Sequence, residues 1–377
     1  MTGDESAILC SVKRYRVARG WSQEELAEKV RIRRQAIYDI ESGRYLPNTA
    51  IALRLARLFD CRVEDLFVEQ ETPELQPVQV VDGAAGPAAR LALGRVRDRL
   101  VALPLQGPEA MPFGLRSADG CLDPDGKHAR IFISRQRLDN TIVLMGCDPA
   151  FEILGQHVAR AAPEARVHCR FASSRRAIDS LAQGLTHVAG THLHNTDMAE
   201  ANVVMAEKRL QGQSGRILGF SLLEEGLMVA SGNPLCIRTV ADLARPMVRF
   251  VNRESGAALR ALLDDCLQRV GVGAQAINGY RNEVASHRAG AYRIACDVAD
   301  AALGLRAVAE AYGLDFVPIT SARCDLVIPS DLERHPTIRV LLDVLQSAAL
   351  RRELDALPGY DGSVTGRLVA EIKPALG

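Results

Sequence analysis

The chain has 377 residues, 47% of them hydrophobic and 24% charged, so it can bury a sizeable core and its length suggests two or three domains. Its 46 basic and 46 acidic residues cancel, which excludes a whole-molecule field that favours nucleic acid. No apolar run reaches the ~18 residues of a membrane span, and no signal segment is recognisable, so we expect a cytoplasmic protein without a membrane partner. The nine cysteines, none in a CxxC pair, indicate reduced thiols.

The first 70 residues carry the signals of five short helices. Ile8 and Val12 begin a helical repeat that Gly20 ends, and Ser22 with Glu25 makes a capping box for a second helix. A fourth helix is predicted after Pro47, and a short fifth helix over 63–67. Basic residues modestly outnumber acidic residues here, which a small DNA-reading domain could use.

A third helix is predicted over 33–42, joined to the second by a tight turn at Arg31 and Ile32. One side of this helix is apolar and is expected to be buried. The opposite side is expected to expose three polar residues at positions i, i+4 and i+7: Arg34, Tyr38 and Glu41. Two helices joined by such a turn have the geometry in which the second enters a major groove.

This region resembles the Xre/Cro phage-repressor helix-turn-helix family, through the segments WSQEELAEKV, RQAIYDIESGRYLP and LARLFDCRVEDLF. The resemblance implies an all-α helix-turn-helix domain over 1–70 that binds double-stranded operator DNA. It assigns a phosphate contact to Gln23 and base contacts to the third helix, so that the DNA-binding residues are Gln23, Arg33, Arg34, Gln35, Tyr38 and Arg44. Arg and Gln can each make paired hydrogen bonds to purine edges, which agrees with this assignment.

Two residues depart from the family pattern. Arg31 replaces the usual Gly of a turn that can need a left-handed backbone, and Arg33 replaces the usual Ser or Thr cap. Each departure costs up to about 1 kcal/mol, too little to abolish a packed domain. A degenerate repressor fold that makes only protein contacts is the alternative, although the exposed polar residues of the third helix are hard to explain that way.

Residues 71–140 are interpreted as a linker and a small coupling segment. Proline, glycine and alanine are concentrated between Glu69 and Pro87, as in flexible or extended connections. A strand is expected over 95–105 and a second apolar stretch over 129–134. No chemistry can be assigned to this part of the chain.

From Thr141 the pattern alternates between strand, loop and helix, which is typical of a parallel, helix-flanked sheet. Strands are predicted over 141–145, 166–171, 188–190 and 247–251, with a helix over 257–270 and another over 304–311. Extended stretches near 218–230 and 315–327 are expected to join two halves of this region.

The region resembles periplasmic-binding-protein-like domains of a branch similar to molybdate-binding proteins, through GCDPAFEIL, LAQGLTHVAGTHL, RFVNRESGAALRALLD, ADAALGLRAVAEAYGLDFVPI and LPGYDGSVTG. The resemblance implies an α/β two-lobed (type II) ligand-sensing domain over 141–377. Members of this branch are often fused to DNA-binding domains, so the expected protein is a one-component transcriptional regulator and not an enzyme. The implied effector is a small molecule or an oxyanion such as molybdate or tungstate, with no further cofactor. A small organic anion is the alternative effector.

Loops that precede helices are the expected ligand contacts. Backbone N–H groups and the helix dipole favour an anion where the strand ends of two lobes meet. The candidate ligand-binding residues follow strands or precede helices: Cys147, Asp148, Ser173, Ser174, Thr191, His192, Arg253, Ser255 and Gly256. Asp148 opposes anion binding unless it caps its helix.

Alternatives remain open at this stage. His192 and His194, with His187 or His168 nearby, could make a metal or redox sensor, and His194 with Asn195 could serve a ligand special to this protein. A nucleophile pair of Cys147 or Cys296 with a histidine would make an enzyme. A homodimer is expected in every regulatory reading, because one small helix-turn-helix reads too few base pairs.

Overall fold

The computed structural model describes residues 8–69, 75–81, 85–107, 115–194, 200–210 and 212–373, so Asn195 lies outside the described residues. The chain divides into two compact units, Met1–Leu75 and Gln76–Gly377. Within the described ranges, no helix is both long enough and apolar enough to cross a membrane.

The first unit is helical, as predicted. Its elements in chain order are β1 (Ile8–Cys10), α1 (Val12–Ala18), α2 (Gln23–Val30), α3 (Arg34–Glu41), α4 (Thr49–Phe59), α5 (Val63–Leu66) and β2 (Phe67–Glu69). The expectation that Ile8 begins a helix was wrong, because Ile8 lies in β1. This strand pairs antiparallel with β2, so the two strands that flank the helices lie side by side. One apolar core joins the helices, around Leu26, Ile37 and Leu55.

The turn between α2 and α3 has the left-handed backbone that the turn of the resembled family can need. Ser22 and Glu25 form the expected capping box at the start of α2. Arg31 ends α2 with a left-handed backbone (φ 57°), the conformation for which glycine is usual. Arg33 precedes α3 without a side-chain cap hydrogen bond.

A six-stranded sheet begins the second unit and occupies much of the segment that was expected to be a linker. Its strands and the helix that follows are β3 (Leu75–Pro77), β4 (Gln79–Val80), β5 (Arg90–Val96), β6 (Arg99–Pro104), β7 (Gly120–Leu122), β8 (His128–Ile131) and α6 (Arg135–Asp139). The strand order is β3-β8-β7-β5-β6-β4. The single strand expected over 95–105 is instead a hairpin, because the chain turns at Arg97 (φ 53°) and Asp98.

A ten-stranded sheet with flanking helices forms the rest of the second unit, which confirms the expected α/β fold. The first part contains β9 (Thr141–Gly146), α7 (Phe151–Ala161), β10 (Arg166–Phe171), α8 (Ser174–Ala182), β11 (Val188–Thr191), α9 (Ala201–Arg209) and β12 (Gly215–Val229). The middle part contains β13 (Phe250–Arg253), α10 (Ala258–Arg269), β14 (Glu283–Val284), α11 (His287–Ala295), β15 (Ala301–Leu305), α12 (Arg306–Ala311) and β16 (Asp315–Pro329). The last part contains α13 (Pro336–Leu345), α14 (Ala348–Asp355), β17 (Tyr360–Asp361) and β18 (Leu368–Ile372).

Two long strands carry the sheet from one lobe to the other. The sheet order is β10-β9-β11-β16-β12-β15-β13-β14, with β17 and β18 also paired to β12. The long strands β12 and β16 are antiparallel from Gly215 opposite Pro329 to Val229 opposite Asp315. One half of this pair joins β11 and the other half joins β15, so the two strands are the expected crossing segments.

The helix expected from Gly304 starts two residues later. Gly304 and Leu305 lie in β15, where they pair with Gly226 and Glu225 of β12, and α12 begins at Arg306. The ladder with the crossing strand therefore overrides the local helical pattern at these two positions. Apolar cores fill both faces of the sheet, around Leu144 and Phe220 on one face and Val143 and Ile217 on the other.

Candidate functional site

The third helix exposes the residues that were predicted to face DNA bases. Arg34, Gln35 and Tyr38 are exposed, and Tyr38 retains 42% of its surface. Gln35 donates to Asp39 Oδ1 at 3.1 Å, and Arg34 Nε lies 3.8 Å from Glu24 Oε2. These contacts lie at the protein surface, so the side chains can exchange them for DNA at low cost.

The side chains of Gln23 and Glu41 take part in interactions within the protein that the sequence analysis did not predict. Glu41 was expected on the exposed side of α3, but its side chain is only 3% exposed because it pairs with Arg16 of α1. Gln23 donates to the same carboxylate at 2.8 Å. Arg44 lies over the Tyr38 ring, 5.5 Å from its centroid, and Arg33 is exposed. The six predicted DNA-contacting residues therefore all belong to the first unit and four of them lie on or beside α3.

A cavity of about 360 Å³ opens between the two lobes of the second unit. It brings together Ser173 at the start of α8 and the Ser255–Gly256 loop before α10, which the sequence analysis placed on opposed lobes. Further side chains from α8 and from the six-stranded sheet complete the lining, among them Arg175, Arg176, Asp179, Val80 and Val81. The volume is within the ~300–1,000 Å³ of small-molecule sites.

A buried cluster adjoins this cavity through neighbouring residues of the chain. Cys147 Sγ lies 3.3 Å from His192 Nδ1 and 3.8 Å from Ser174 Oγ, while the backbone N–H of His192 donates to Ser174 Oγ at 3.1 Å. His192 Nε2 lies 3.4 Å from Glu225 Oε1. The cluster thus joins the ends of β9 and β11 in one lobe to the crossing strand β12.

Arg253 contributes a buried cation from the other lobe. It is 2% exposed and donates to His287 Nδ1 at 3.2 Å, and its other donors reach the carbonyls of Val284 and Ala285. The guanidinium also lies over Phe171, 5.5 Å from the ring centroid. Within the described ranges, no carboxylate lies within ion-pair distance of Arg253.

Asp148 and Thr191 lie at the cluster, but Asp148 is already satisfied by other groups. Asp148 accepts hydrogen bonds from Ser221, from Tyr360 and from the Ala150 N–H, so it holds the start of α7. Burial raises the pKa of Asp148. Thr191 is fully buried and its hydroxyl has no hydrogen-bond partner among the described residues.

The ionisable side chains of this cluster are buried, and burial disfavours their charged forms. Burial opposes a charge on His192, but Cys147, Glu225 and Asp148 around it raise the pKa of this imidazole to about 9. Burial lowers the pKa of Arg253, and it lowers the pKa of His287 well below the usual value. The acidic groups around His192 therefore balance its positive charge, whereas Arg253 has no carboxylate within ion-pair distance among the described residues.

The histidines proposed as metal ligands hydrogen-bond to different partners. His194 bonds to Glu225, His168 bonds to Asp119, and His187 bonds to backbone groups. In the ranges that the structure describes, no group of three or more His, Cys, Asp or Glu residues is arranged to hold a metal ion.

Glu225 and His287 are cleft residues that the sequence analysis missed. Glu225 lies in the middle of an apolar crossing strand, at a register shift between Glu225 and Gly226 where the pairing with β16 slips. Such a bulge re-aims a side chain. His287 is the first residue of α11, after the Ser286 cap. Two adjacent carboxylates, Glu224 and Glu225, in a mostly apolar strand were the available signal, although the sequence does not show which of them is buried, and His287 had no signal.

Comparison with known proteins adds two families and several relatives. The description "PBP superfamily domain" matches residues 155–346, and the description "Helix-turn-helix" matches residues 12–66. The uncharacterized protein YvgK of Bacillus subtilis (strain 168) is 28% identical over 230 residues, which are 61% of this chain and 74% of that protein. An uncharacterized HTH-type transcriptional regulator of Archaeoglobus fulgidus is 44% identical over 57 residues, 15% of this chain and 81% of that protein.

Among solved structures, a putative phosphate ABC transporter substrate-binding protein with bound phosphate from Clostridium perfringens matches with a TM-score of 0.45 and 10% identity. The match covers 57% of this chain and 96% of that chain. The PBP match spans half of the present chain and includes both crossing strands. The chain therefore belongs to the PBP superfamily and carries an N-terminal helix-turn-helix domain.

Proposed function

We propose that this protein is a one-component transcriptional regulator that binds double-stranded operator DNA and changes its affinity when a small anion binds in the cleft. The helix-turn-helix domain and its likeness to proteins named HTH-type transcriptional regulators support the DNA-binding role. The exposed Arg34, Gln35 and Tyr38 supply side chains of the types that contact bases and phosphates.

The observation that carries the ligand proposal is the buried cation of Arg253. Buried charges are normally paired, because an isolated ion loses several kcal/mol of hydration. Among the described residues, Arg253 contacts only neutral acceptors: two backbone carbonyls and His287. Glu225 and Glu254 act on Arg253 only from beyond ion-pair distance, so a bound anion would supply a counter-charge in direct contact. Ser173, Ser255 and Gly256 line the cavity and offer hydroxyl and amide donors to such an anion.

Two kinds of anion agree with this site. Molybdate or tungstate is the effector that the resemblance implies, and hydroxyl and amide donors are suited to such an oxyanion. A small organic anion is the second candidate, because the cavity of about 360 Å³ has the size of sites that hold organic ligands.

Regulation requires that the ligand change the DNA-binding unit. We propose that the anion draws the two lobes together and alters the spacing of two helix-turn-helix units in a homodimer. Val80 and Val81 line the cavity just after the boundary between the two units, so ligand contact reaches the chain segment that follows the DNA-binding unit.

The test uses the full-length protein with an operator selected from random-sequence DNA. Thermal unfolding and operator affinity are measured with molybdate, tungstate, sulfate and small carboxylates. A ligand at ~100 times its Kd adds about 2.7 kcal/mol and a shift of a few degrees. We expect at least one anion to raise the melting temperature and change operator affinity.

The variant Arg253→Gln is expected to lose both responses, because it removes the buried cation. The matched control is Arg288→Gln, an exposed arginine next to His287, which is expected to respond as the unaltered protein does. If no anion changes either measurement, or if Arg253→Gln responds normally, the ligand proposal is wrong.

A further inference from the structure

Two buried polar atoms beside His192 lack a hydrogen-bond partner among the described residues: Glu225 Oε1 and His287 Nε2. Glu225 is fully buried and His287 is 1% exposed, so open solvent does not satisfy them. Both lie near the same ring, since Glu225 Oε1 is 3.4 Å from His192 Nε2 and the two imidazole centroids are 6.2 Å apart. Unsatisfied groups at one place mark a site whose occupant supplies the missing bonds.

His287 offers a hydrogen-bond donor to that occupant. Arg253 can only donate, so its contact of 3.2 Å makes His287 Nδ1 the acceptor. Burial, with Arg253 and His192 nearby, lowers the pKa of His287 well below its usual value, and the ring is neutral. A neutral imidazole that accepts at Nδ1 carries its hydrogen at Nε2. The unpartnered Nε2 is therefore an N–H without an acceptor.

Glu225 offers an acceptor. Its Oε2 accepts from His194, while Oε1 has only the ion-pair contact with His192 and no hydrogen bond. Cys147 Sγ lies 3.3 Å from His192 Nδ1 and 3.6 Å from His192 Nε2, the nitrogen that faces Glu225 Oε1. A carboxylate oxygen can only accept, and a ligand that also brings only acceptors would repel it.

We propose that the cleft selects a small organic anion that bears a hydrogen-bond donor, a hydroxyl or ammonium group, beside its anionic group. This inference rests on the proposed function and specifies its ligand. The donor binds Glu225 Oε1, an oxygen of the ligand accepts from His287 Nε2, and the anionic group is balanced by Arg253. A tetrahedral oxyanion without a proton satisfies His287 and Arg253 but leaves Glu225 Oε1 without a hydrogen bond.

The discriminating experiment measures binding to the full-length protein by calorimetry, with probes matched in size and charge. The pairs are lactate with propionate, malate with succinate, and glycerol 3-phosphate with propyl phosphate. L-Alanine and L-aspartate distinguish an ammonium donor from a hydroxyl donor, and molybdate and sulfate represent anions that only accept. In the pairs that bind, we expect the donor-bearing member to bind at least about tenfold more tightly.

Substitution of Glu225 tests the assignment to this residue. Glu225→Gln replaces one acceptor oxygen with an NH₂ donor, so the preference is expected to shift at least tenfold toward acceptor-only anions. Glu224→Gln is the matched control, because the neighbouring carboxylate bonds to Arg306 instead. The control is expected to keep the original preference. Thermal unfolding of each variant without ligand shows whether it is folded.

The outcomes separate this inference from the proposed function. Equal binding of both members of each pair that binds, or binding of molybdate or sulfate alone, overturns the donor requirement and leaves an anion-regulated protein. An unchanged preference in folded Glu225→Gln also overturns the donor requirement. If that variant does not fold, the matched pairs measured on the unaltered protein decide whether the requirement holds. If none of the anions binds, both the inference and the ligand part of the proposed function are wrong.

Discussion

Arg16 of α1 and Glu41 at the end of α3 form two hydrogen bonds, from Nε to Oε1 at 2.6 Å and from Nη2 to Oε2 at 3.0 Å. The side chains are 11% and 3% exposed, so this ion pair is nearly buried. The same carboxylate accepts from Gln23 at the start of α2. One carboxylate therefore ties three helices together and sets the position of the helix that carries the proposed base contacts.

Glu41→Ala is expected to lower the free energy of unfolding of the first unit by about 3 kcal/mol, because it leaves Arg16 charged and unpaired. Trp21, the single tryptophan of the chain, packs against Phe59 in this unit, so its fluorescence in urea reports the effect. Glu24→Ala removes the exposed contact with Arg34 and is expected to cost less than about 1 kcal/mol. Similar losses in the two variants would contradict this role for the ion pair.

Arg34→Ala and Gln35→Ala are each expected to weaken operator binding by about 1 to 3 kcal/mol and to leave ligand affinity unchanged. Both side chains are exposed on α3 and make only surface contacts in the free protein. Fluorescence anisotropy with labelled operator measures the effect. Arg269→Ala, an exposed arginine of the second unit, is the control and is expected to bind normally. Unaltered operator affinity in both α3 variants would exclude this helix from the groove.

Ser255→Glu is expected to abolish the ligand response and to spare operator binding. Ser255 lines the cavity, and a carboxylate there occupies space and repels an anion. Thermal unfolding and operator titration, each with and without the binding anion, measure the two effects. Ser231→Glu places the same charge at an exposed turn and is expected to respond normally. A normal response from Ser255→Glu would remove this loop from the ligand site.

Gly190→Ala is expected to destabilise the second unit by about 1 to 3 kcal/mol, because its Cβ would lie 2.2 Å from Phe151 Cζ. That ring is 2% exposed and packs on Phe220, so it has little room to move. Gly155→Ala is the control, since its Cβ meets Val167 at an ordinary 3.5 Å inside α7. This change is expected to stabilise the helix by about 0.5 to 1 kcal/mol. Unfolding followed by circular dichroism should therefore give opposite signs.

His187 is expected to make stability depend on pH. Its Nδ1 accepts from the Val143 N–H and its Nε2 donates to the Arg95 carbonyl, both at 3.0 Å, so the ring must be neutral. Burial and the nearby His335 lower the pKa of His187 to about 3. Between pH ~6.5 and 3 the unfolded chain binds this proton and the folded chain does not. The stability contribution is thus present above pH ~6.5 and is lost as the pH falls.

Urea unfolding at pH 7.5, 6.0 and 5.0 measures this dependence. His187→Gln keeps an acceptor and a donor without titrating, so it is expected to reduce the slope below pH ~6.5 by up to about 1.4 kcal/mol per pH unit. The slope of the unaltered protein over the same three pH values is the reference. If His187→Gln keeps that slope, the neutral buried ring does not account for it.

Local signals in the sequence were sufficient for many elements. The capping box of Ser22 and Glu25 depends on residues three positions apart, and it forms as predicted. The left-handed backbone of Arg31 was indicated only by the resemblance, in which glycine is usual at that position. The alternation of strands and helices after Thr141 was likewise readable, because a buried strand and an amphipathic helix have different periods. Local patterns predicted element boundaries less well where pairing between strands decides them, as at Arg97 and Gly304.

What only the tertiary structure decided is which polar groups meet. Cys147 and His192 are 45 positions apart, Arg253 and His287 are 34 apart, and His194 reaches Glu225 over 31. No local pattern specifies such contacts, because they depend on strand order, on a bulge in the crossing strand and on burial, which strengthens the interactions between charged groups. The sequence by itself determined a helix-turn-helix unit and a two-lobed α/β unit; the tertiary structure placed a buried cation, a carboxylate and two imidazoles together in the cleft.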